Sequence, residues 1–202
     1  YTQAYTLSLH DALPISSAVR LTYSGKLADH QTHLIRNAAL AGILNRSLSH
    51  RANLVNSMEI AAGRGLEVSE RHESRSAHLD SIRLELASGG GTTSVEGALL
   101  LGRPRLLQVD GIQVEVALSG HLTYLRNRDV PGVIGFVGTV IGRNGINIAN
   151  FSLGRQDAPS QPGAVLEAVA VVETDEAVPE TVLAALRENS AVLLARVVEF
   201  ER

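Results

Sequence analysis

The chain contains no cysteine and no tryptophan, one methionine, and aromatic side chains at only 3% of its 202 residues. Without cysteine, disulfides, thiol catalysis and cysteine-based metal sites are excluded. With so few rings, a core has to be built from Val, Leu, Ile and Ala, and a hydrophobic content of 45% is enough to build one. No apolar run approaches the roughly 20 residues that a membrane-crossing helix needs. The first residues lack the basic stretch and long apolar stretch of a signal peptide. Lys and Arg number 18 against 21 Asp and Glu, for a net charge of −3 with the two signs interspersed. That balance lacks the basic patch of a nucleic-acid or membrane-surface protein. The expectation is a globular cytoplasmic protein with neither nucleic acid nor membrane as a partner.

What is present reads as two units. In the first, "SAVRLTYSGKLA" (17–28) alternates like a strand, and "DHQTHLIRNAALAGIL" (29–44) has helical spacing. Asp29 is placed to cap that helix, with Leu34, Ile35, Ala38 and Ala41 on one face. A second helix is expected around Val55, Met58 and Ala62, stopped by Gly63 and Gly65. The charged "ERHESRSAH" reads as a loop, and "LDSIRLELAS" as a strand. The segment from Gly89 to Gly120 reads as three strands, with Asp110-Gly111 as a hairpin turn between the last two. This mixed α and β unit is expected to end near Ser119-Gly120.

The second unit is sharper. "HLTYLRNR" (121–128) is a strand. Pro131 belongs to the first turn of a helix with the stripe Val133, Ile134, Val137, Val140 and Ile141, ended by Gly145. Strands at 146–155 and 164–174, a helix at 179–189 and a strand at 191–200 follow. The order β-α-β-β-α-β is that of the ferredoxin-like split unit, so the fold class is α+β. An edge strand in such a sheet invites a second copy.

Chemistry gathers where the first strand of this unit meets its first helix. Asn127 and Asp129 lie just before the helix, and Gly132 allows close backbone approach. The amides of Gly132, Val133 and Ile134 suit a carboxylate, and Asp129 suits an ammonium group. Together they fit a free amino acid, with Asn147 as a further side-chain amide. The alternative is that Asp129 only caps the helix. Arg103 and Arg105 either neutralise a phosphate or are solvated residues flanking a turn. His30 and His33, three apart on a helix, lack a third metal ligand; no metal is expected, and His50, His72, His78 and His121 lack a convincing acid partner.

The stretch "YLRNRDVPGVIGFVGTVIGRNGINIANFSLGR" resembles the ACT domain, a small regulatory module that binds amino acids at dimer interfaces, most of all in its D-x-P-G turn and G-I-N-I strand. "NLVNSMEIAAGRGLEVSE" and "GRPRLLQVDGIQVEVALSGHL" resemble the allosteric substrate-binding, or intervening, domain that precedes ACT in long-form D-3-phosphoglycerate dehydrogenases. The resemblance spans residues 17–202, divided at 17–119 and 120–202. It implies a regulatory part with L-serine as effector, a homo-oligomer formed through the ACT domain, and NAD as cofactor of the parent enzyme. By the match, Asn127, Asp129 and Asn147 are the effector side chains, with Gly132, Val133 and Ile134 as backbone donors. Some members bind a phosphorylated ligand in the intervening domain, which would fall to Arg103 and Arg105. At least one further basic residue of those relatives is replaced by Ala117. Related layouts are the regulatory part of an iron–sulfur L-serine dehydratase and a free-standing amino-acid sensor.

The dinucleotide loop G-x-G-x-x-G, set between a strand and a helix, is not found. "GRGLEV", "GGGTTS" and "GFVGTVIGRNG" each fail the pattern or the setting. Catalysis by this chain alone is therefore not expected. The leading "TLSLHDALPI" (6–15) can be written as ACT CTT TCC CTA CAC GAC GCT CTT CCG ATC, which matches a widely used short-read sequencing adapter. Residues 1–16 are accordingly expected to be an artefact joined to a truncated gene and to pack against nothing.

Overall fold

The computed structural model describes residues 16–45, 51–74, 79–158, 163 and 165–198. The expected artefact falls on residues outside this set except for Ser16, which is the first residue of a strand. The chain divides into two compact units between Glu96 and Gly97.

The first unit begins with β1 (Ser16–Ser24), a 3-10 turn (Gly25–Asp29), α1 (His33–Leu44), α2 (Ser57–Gly63) and β2 (Glu67–Glu73). Strand β3 (Ser81–Ser88) and the first part of β4 (Gly91–Leu100) complete it. The strand order is β2-β1-β3-β4, with β1 parallel to β2 and antiparallel to β3. Val19, Leu21 and Tyr23 of β1 are fully buried and form a core with Leu40 and Leu44 of α1 and Ala61 of α2. Asp29 ends the 3-10 turn, so it does not cap α1; Thr32 holds that position. The expected face holds in part: Ile35 and Ala41 pack against this core, but Leu34 is 57% exposed and Ala38 is exposed, while Leu40 and Leu44 are buried. The helix turns toward the apolar side of β1, and alanines at helical spacing do not reveal that direction.

The charged run expected as a loop starts as strand β2. It is an edge strand, where charges meet water and discourage pairing with another chain. Register places Val68, Glu70 and His72 beside Val19, Leu21 and Tyr23. Glu70 is thus an acid on the core side, and it is fully engaged. Its Oε1 accepts from Tyr23 Oη at 2.9 Å and Thr32 Oγ1 at 3.2 Å, and its Oε2 from Arg36 Nη1 at 3.0 Å. Burial alone would raise the Glu70 carboxyl; these three donors outweigh it and hold the group below its ordinary range. Burial, with the Glu70 hydrogen bond and charge, pushes the Tyr23 phenol far up.

The second unit holds the rest of β4, β5 (Arg103–Val109), β6 (Ile112–Ala117) and a β-α-β-β-α-β module. That module comprises β7 (His121–Arg128), α3 (Val133–Arg143), β8 (Ile148–Arg155), β9 (Glu167–Thr174), α4 (Glu180–Arg187) and β10 (Val192–Val198). Its sheet has the order β10-β7-β9-β8, all pairs antiparallel, so the ferredoxin-like α+β expectation holds. Both helices lie on one face: Val133, Val137 and Ile141 of α3 and Val182, Leu183 and Leu186 of α4 pack with Leu125, Ala170 and Val172. Ile134, expected in the stripe, is 51% exposed.

The other face is covered by the β5–β6 hairpin. Val109, Ile112, Val114 and Val116 pack on Leu122, Val169 and Val171, which explains why the hairpin falls with this unit. Strand β9 is therefore buried on both faces over 168–172, and its run "AVAVV" is apolar at every position. Asp110 and Gly111 both have positive φ, 49° and 83°, as the tight turn of this hairpin requires.

Candidate functional site

Asn127 lies near the end of β7 and is 4% exposed. It faces the helix side of the sheet, as Thr123 and Leu125 do by alternation. Its Nδ2 donates to the Arg128 carbonyl at 2.8 Å. After β7 the chain is pinned on both sides: Arg128 N–H donates to Ala191 at 2.8 Å and Asp129 N–H to Leu166 at 2.7 Å. The backbone then turns through Pro131 and Gly132 into α3. Gly132, with φ of 92°, is the helix N-cap. Pro131 therefore precedes the cap instead of opening the helix. Among the described residues no side chain caps α3. The capping alternative for Asp129 is not realised, and the first amides of α3, at Val133 and Ile134, lack intrahelical acceptors by helix geometry.

The Asp129 carboxylate instead meets Arg155, the last residue of β8. Arg155 Nη2 lies 3.0 Å and Nε 3.2 Å from Asp129 Oδ1. Asp129 is 17% exposed and Arg155 66%. The pair forms because β9 lies between β7 and β8: Asn127 and Arg155 both have Ala168 as register partner, one on each side. Sequence reasoning missed Arg155. Its signal was a cation at the end of "FSLGR", which gains meaning only once the strand order is known.

Asn147 is elsewhere. It precedes β8, whose Ile148 pairs with Thr174 at the far end of β9. Its Nδ2 donates to Asp175 Oδ2 at 2.9 Å, and Asp175 N–H donates back to the Asn147 carbonyl at 3.2 Å. From Ala168 to Thr174 is six strand residues, about 20 Å. A single copy brings Asn127, Asp129, Gly132, Val133 and Ile134 to one end of the module and leaves Asn147 at the other.

On the hairpin face of β7, Arg126 joins two acids. Its Nε donates to Glu167 Oε2 in a short contact, and Nη1 is 3.5 Å from Asp110 Oδ2 at the hairpin turn. Burial opposes the Arg126 charge, but its two acidic neighbours outweigh that and raise it further. The neighbouring Tyr124 phenol is raised by burial and by the Asp110 charge. Arg103 and Arg105 alternate on one face of β5. Arg103 is exposed; Arg105 reaches Glu115 at 3.8 Å, and its buried Nε has no partner among the described residues.

None of the three glycine-rich stretches has the setting of a dinucleotide loop. "GRGLEV" leaves α2 for β2, "GGGTTS" turns into β4, and "GFVGTVIGRNG" is α3 and its end. These residues do not fit NAD. His72 Nδ1 lies 2.8 Å from the Ala28 carbonyl, and His50 and His78 are outside the described residues. Among the described residues no three His, Cys, Asp or Glu side chains group as a metal site, and no helix is long and apolar enough to cross a membrane.

Comparison with known proteins matches this architecture. Residues 12–110 fit the family model of the D-3-phosphoglycerate dehydrogenase intervening domain, and residues 121–191 that of the ACT domain. The D-3-phosphoglycerate dehydrogenase of Methanocaldococcus jannaschii is 36% identical over 170 residues, covering 84% of this chain and 31% of the relative. That of Archaeoglobus fulgidus is 33% identical, covering 90% and 34%, and that of Bacillus subtilis 31% identical, covering 69% and 27%. The chain thus spans about a third of the length of the curated relatives it matches. With an intervening domain followed by an ACT domain, it belongs to the D-3-phosphoglycerate dehydrogenase family, matching that family's C-terminal regulatory part.

Proposed function

We propose that this chain is the regulatory part of an NAD-dependent D-3-phosphoglycerate dehydrogenase of serine biosynthesis, and that its ACT domain binds L-serine as a feedback effector. Residues 17–119 act as the intervening domain and 120–202 as the ACT domain. The observation that carries this reading is the placement of Asp129. It is held by the backbone beside the uncapped start of α3, with Asn127 on the same sheet face, in a chain whose relatives bear the dehydrogenase name. Asp129 takes the effector's ammonium group, and the amides of Gly132, Val133 and Ile134 lie on the carboxylate side.

Asn147 contributes from a second copy, because within one copy it lies at the opposite end of β9. The working unit is therefore a homo-oligomer joined through ACT domains, and exposed Val130, Ile134 and Val165 near the Asp129 end support a contact there. Serine couples to a distant active site by binding two arrangements of the oligomer with different affinity. Arg103 and Arg105 offer an anion site for a phosphorylated ligand of the intervening domain, supported by the unpartnered Arg105 Nε. NAD and the dehydrogenase reaction belong to the whole cytoplasmic enzyme, and the chain by itself is inactive.

Calorimetric titration tests this reading. The chain takes up L-serine, and Asp129→Ala abolishes the heat while the circular dichroism spectrum stays the same. Unchanged affinity in the variant would sink the site assignment. Reduction of NAD by the purified chain with 3-phosphoglycerate would contradict the claim of inactivity.

A further inference from the structure

The Asp129–Arg155 pair is only half used. Both guanidinium contacts fall on Asp129 Oδ1, from Nε and Nη2. Asp129 Oδ2 and Arg155 Nη1 have no protein partner among the described residues. An acceptor oxygen and a donor nitrogen therefore remain unpartnered, carried by neighbouring groups of opposite charge. An α-amino acid presents the same two charges in reverse, an ammonium and a carboxylate on one carbon. We propose that Asp129 and Arg155 together form a reader of α-amino-acid zwitterions, with Arg155 as the carboxylate-binding residue. This rests on the effector reading above and deepens it, since it assigns the effector's carboxylate to a side chain on β8 as well as to backbone amides.

The backbone beside each member of the pair is hydrogen-bonded to the start of β9 or the residue before it. Asp129 is fixed through its N–H on Leu166. Arg155 precedes Gln156, whose N–H donates to the Glu167 carbonyl at 3.0 Å while its Oε1 accepts from Glu167 N–H at 2.9 Å. Ala168, between the register positions of Asn127 and Arg155, is small and buried, so the side chains on either side of it meet no bulky neighbour on β9. A guanidinium that is already tethered by one acid keeps a fixed orientation for a second, and a carboxylate suits its planar geometry. The pair is neutral as a whole. It therefore favours a neutral zwitterion over a lone cation, which Arg155 repels, and over a lone anion, which Asp129 repels.

The test uses L-serine and ethanolamine, which is serine without its carboxylate. Both are titrated calorimetrically into the whole chain and into Arg155→Gln and Asp129→Asn. Wild type is expected to bind L-serine at least about tenfold more tightly than ethanolamine, the worth of one charge-assisted hydrogen bond. Arg155→Gln should lose that preference by weakening serine about tenfold, leaving ethanolamine equal or slightly tighter. Asp129→Asn should weaken both. Serine binding that is unchanged or tighter in Arg155→Gln, with Asp129→Asn still defective, overturns the role of Arg155 and keeps the effector site. Serine binding that survives Asp129→Asn at full strength, or is missing from wild type, overturns the effector site and the zwitterion reader with it.

Discussion

Gly154 of β8 lies against Gln113 of β6 so closely that a Cβ on Gly154 would overlap the Gln113 carbonyl oxygen. The two strands are not ladder partners; one lies on the face of the other's sheet. Ser152, two residues earlier on the same face, donates its Oγ to the Glu115 carbonyl at 2.7 Å. The glycine permits the hairpin to sit directly on the ACT sheet. Gly154→Ala is therefore expected to cost about 2–4 kcal/mol, because the obstacle is backbone that has to move as a unit. Thermal unfolding followed by circular dichroism would check this, and a melting temperature within a degree of wild type would show that β6 yields easily.

The hairpin is also held at its tip. Arg126 of β7 stands between Asp110 of the turn and Glu167 of β9. Arg126 is 38% exposed, so water screens the Asp110 arm, which should contribute no more than about 1 kcal/mol. A double-mutant cycle with Arg126→Met and Asp110→Asn measures that coupling directly. A coupling indistinguishable from zero would leave apolar packing and the Ser152–Glu115 hydrogen bond to hold the hairpin.

Several features above were legible in the sequence because their cause is local. Asp110-Gly111 marked the hairpin, Gly145 marked the end of α3, and Val133, Val137 and Ile141 marked its buried face. Other features depended on neighbours that spacing does not encode. Strand β2 looked like a loop because an edge strand carries charges. Leu34 looked buried because nothing local says which side of α1 meets β1. Arg155 and Asp129 are 26 positions apart and meet only because β9, later in the chain than both, inserts between their strands. For the same reason the distance between Asn147 and Asp129 could not be read before the register was known.

Glu70 gives a dependence on pH whose sign is fixed. Its carboxyl titrates below the ordinary 4.5 in the folded protein, so the unfolded chain binds the proton first as pH falls. The stabilisation is complete above about 4.5 and is lost as pH drops through the lower folded value. Glu70→Gln places an amide where Arg36 Nη1 now finds an acceptor, and should cost about 1–3 kcal/mol at pH 7. Stability measured by urea unfolding should then converge between variant and wild type as pH falls below 4. A difference that stays constant from pH 7 to pH 3 would remove Glu70 ionisation from the account.

The separation of Asn147 from Asp129 predicts complementation. If each effector site takes Asp129 from one copy and Asn147 from the other, a two-fold dimer has two such sites related by symmetry. Asp129→Ala alone destroys both, and so does Asn147→Ala alone. In a mixed dimer one site carries both defects and the other carries neither. Co-expression at equal levels gives about half mixed dimers by random pairing, each with one intact site of two, so about a quarter of wild-type serine binding capacity should return, at wild-type affinity. Calorimetric stoichiometry of the co-expressed pair against the two single variants measures this. No recovery, with dimers confirmed by sedimentation, would mean that Asn147 serves only its bond to Asp175 and that the effector is held by one copy.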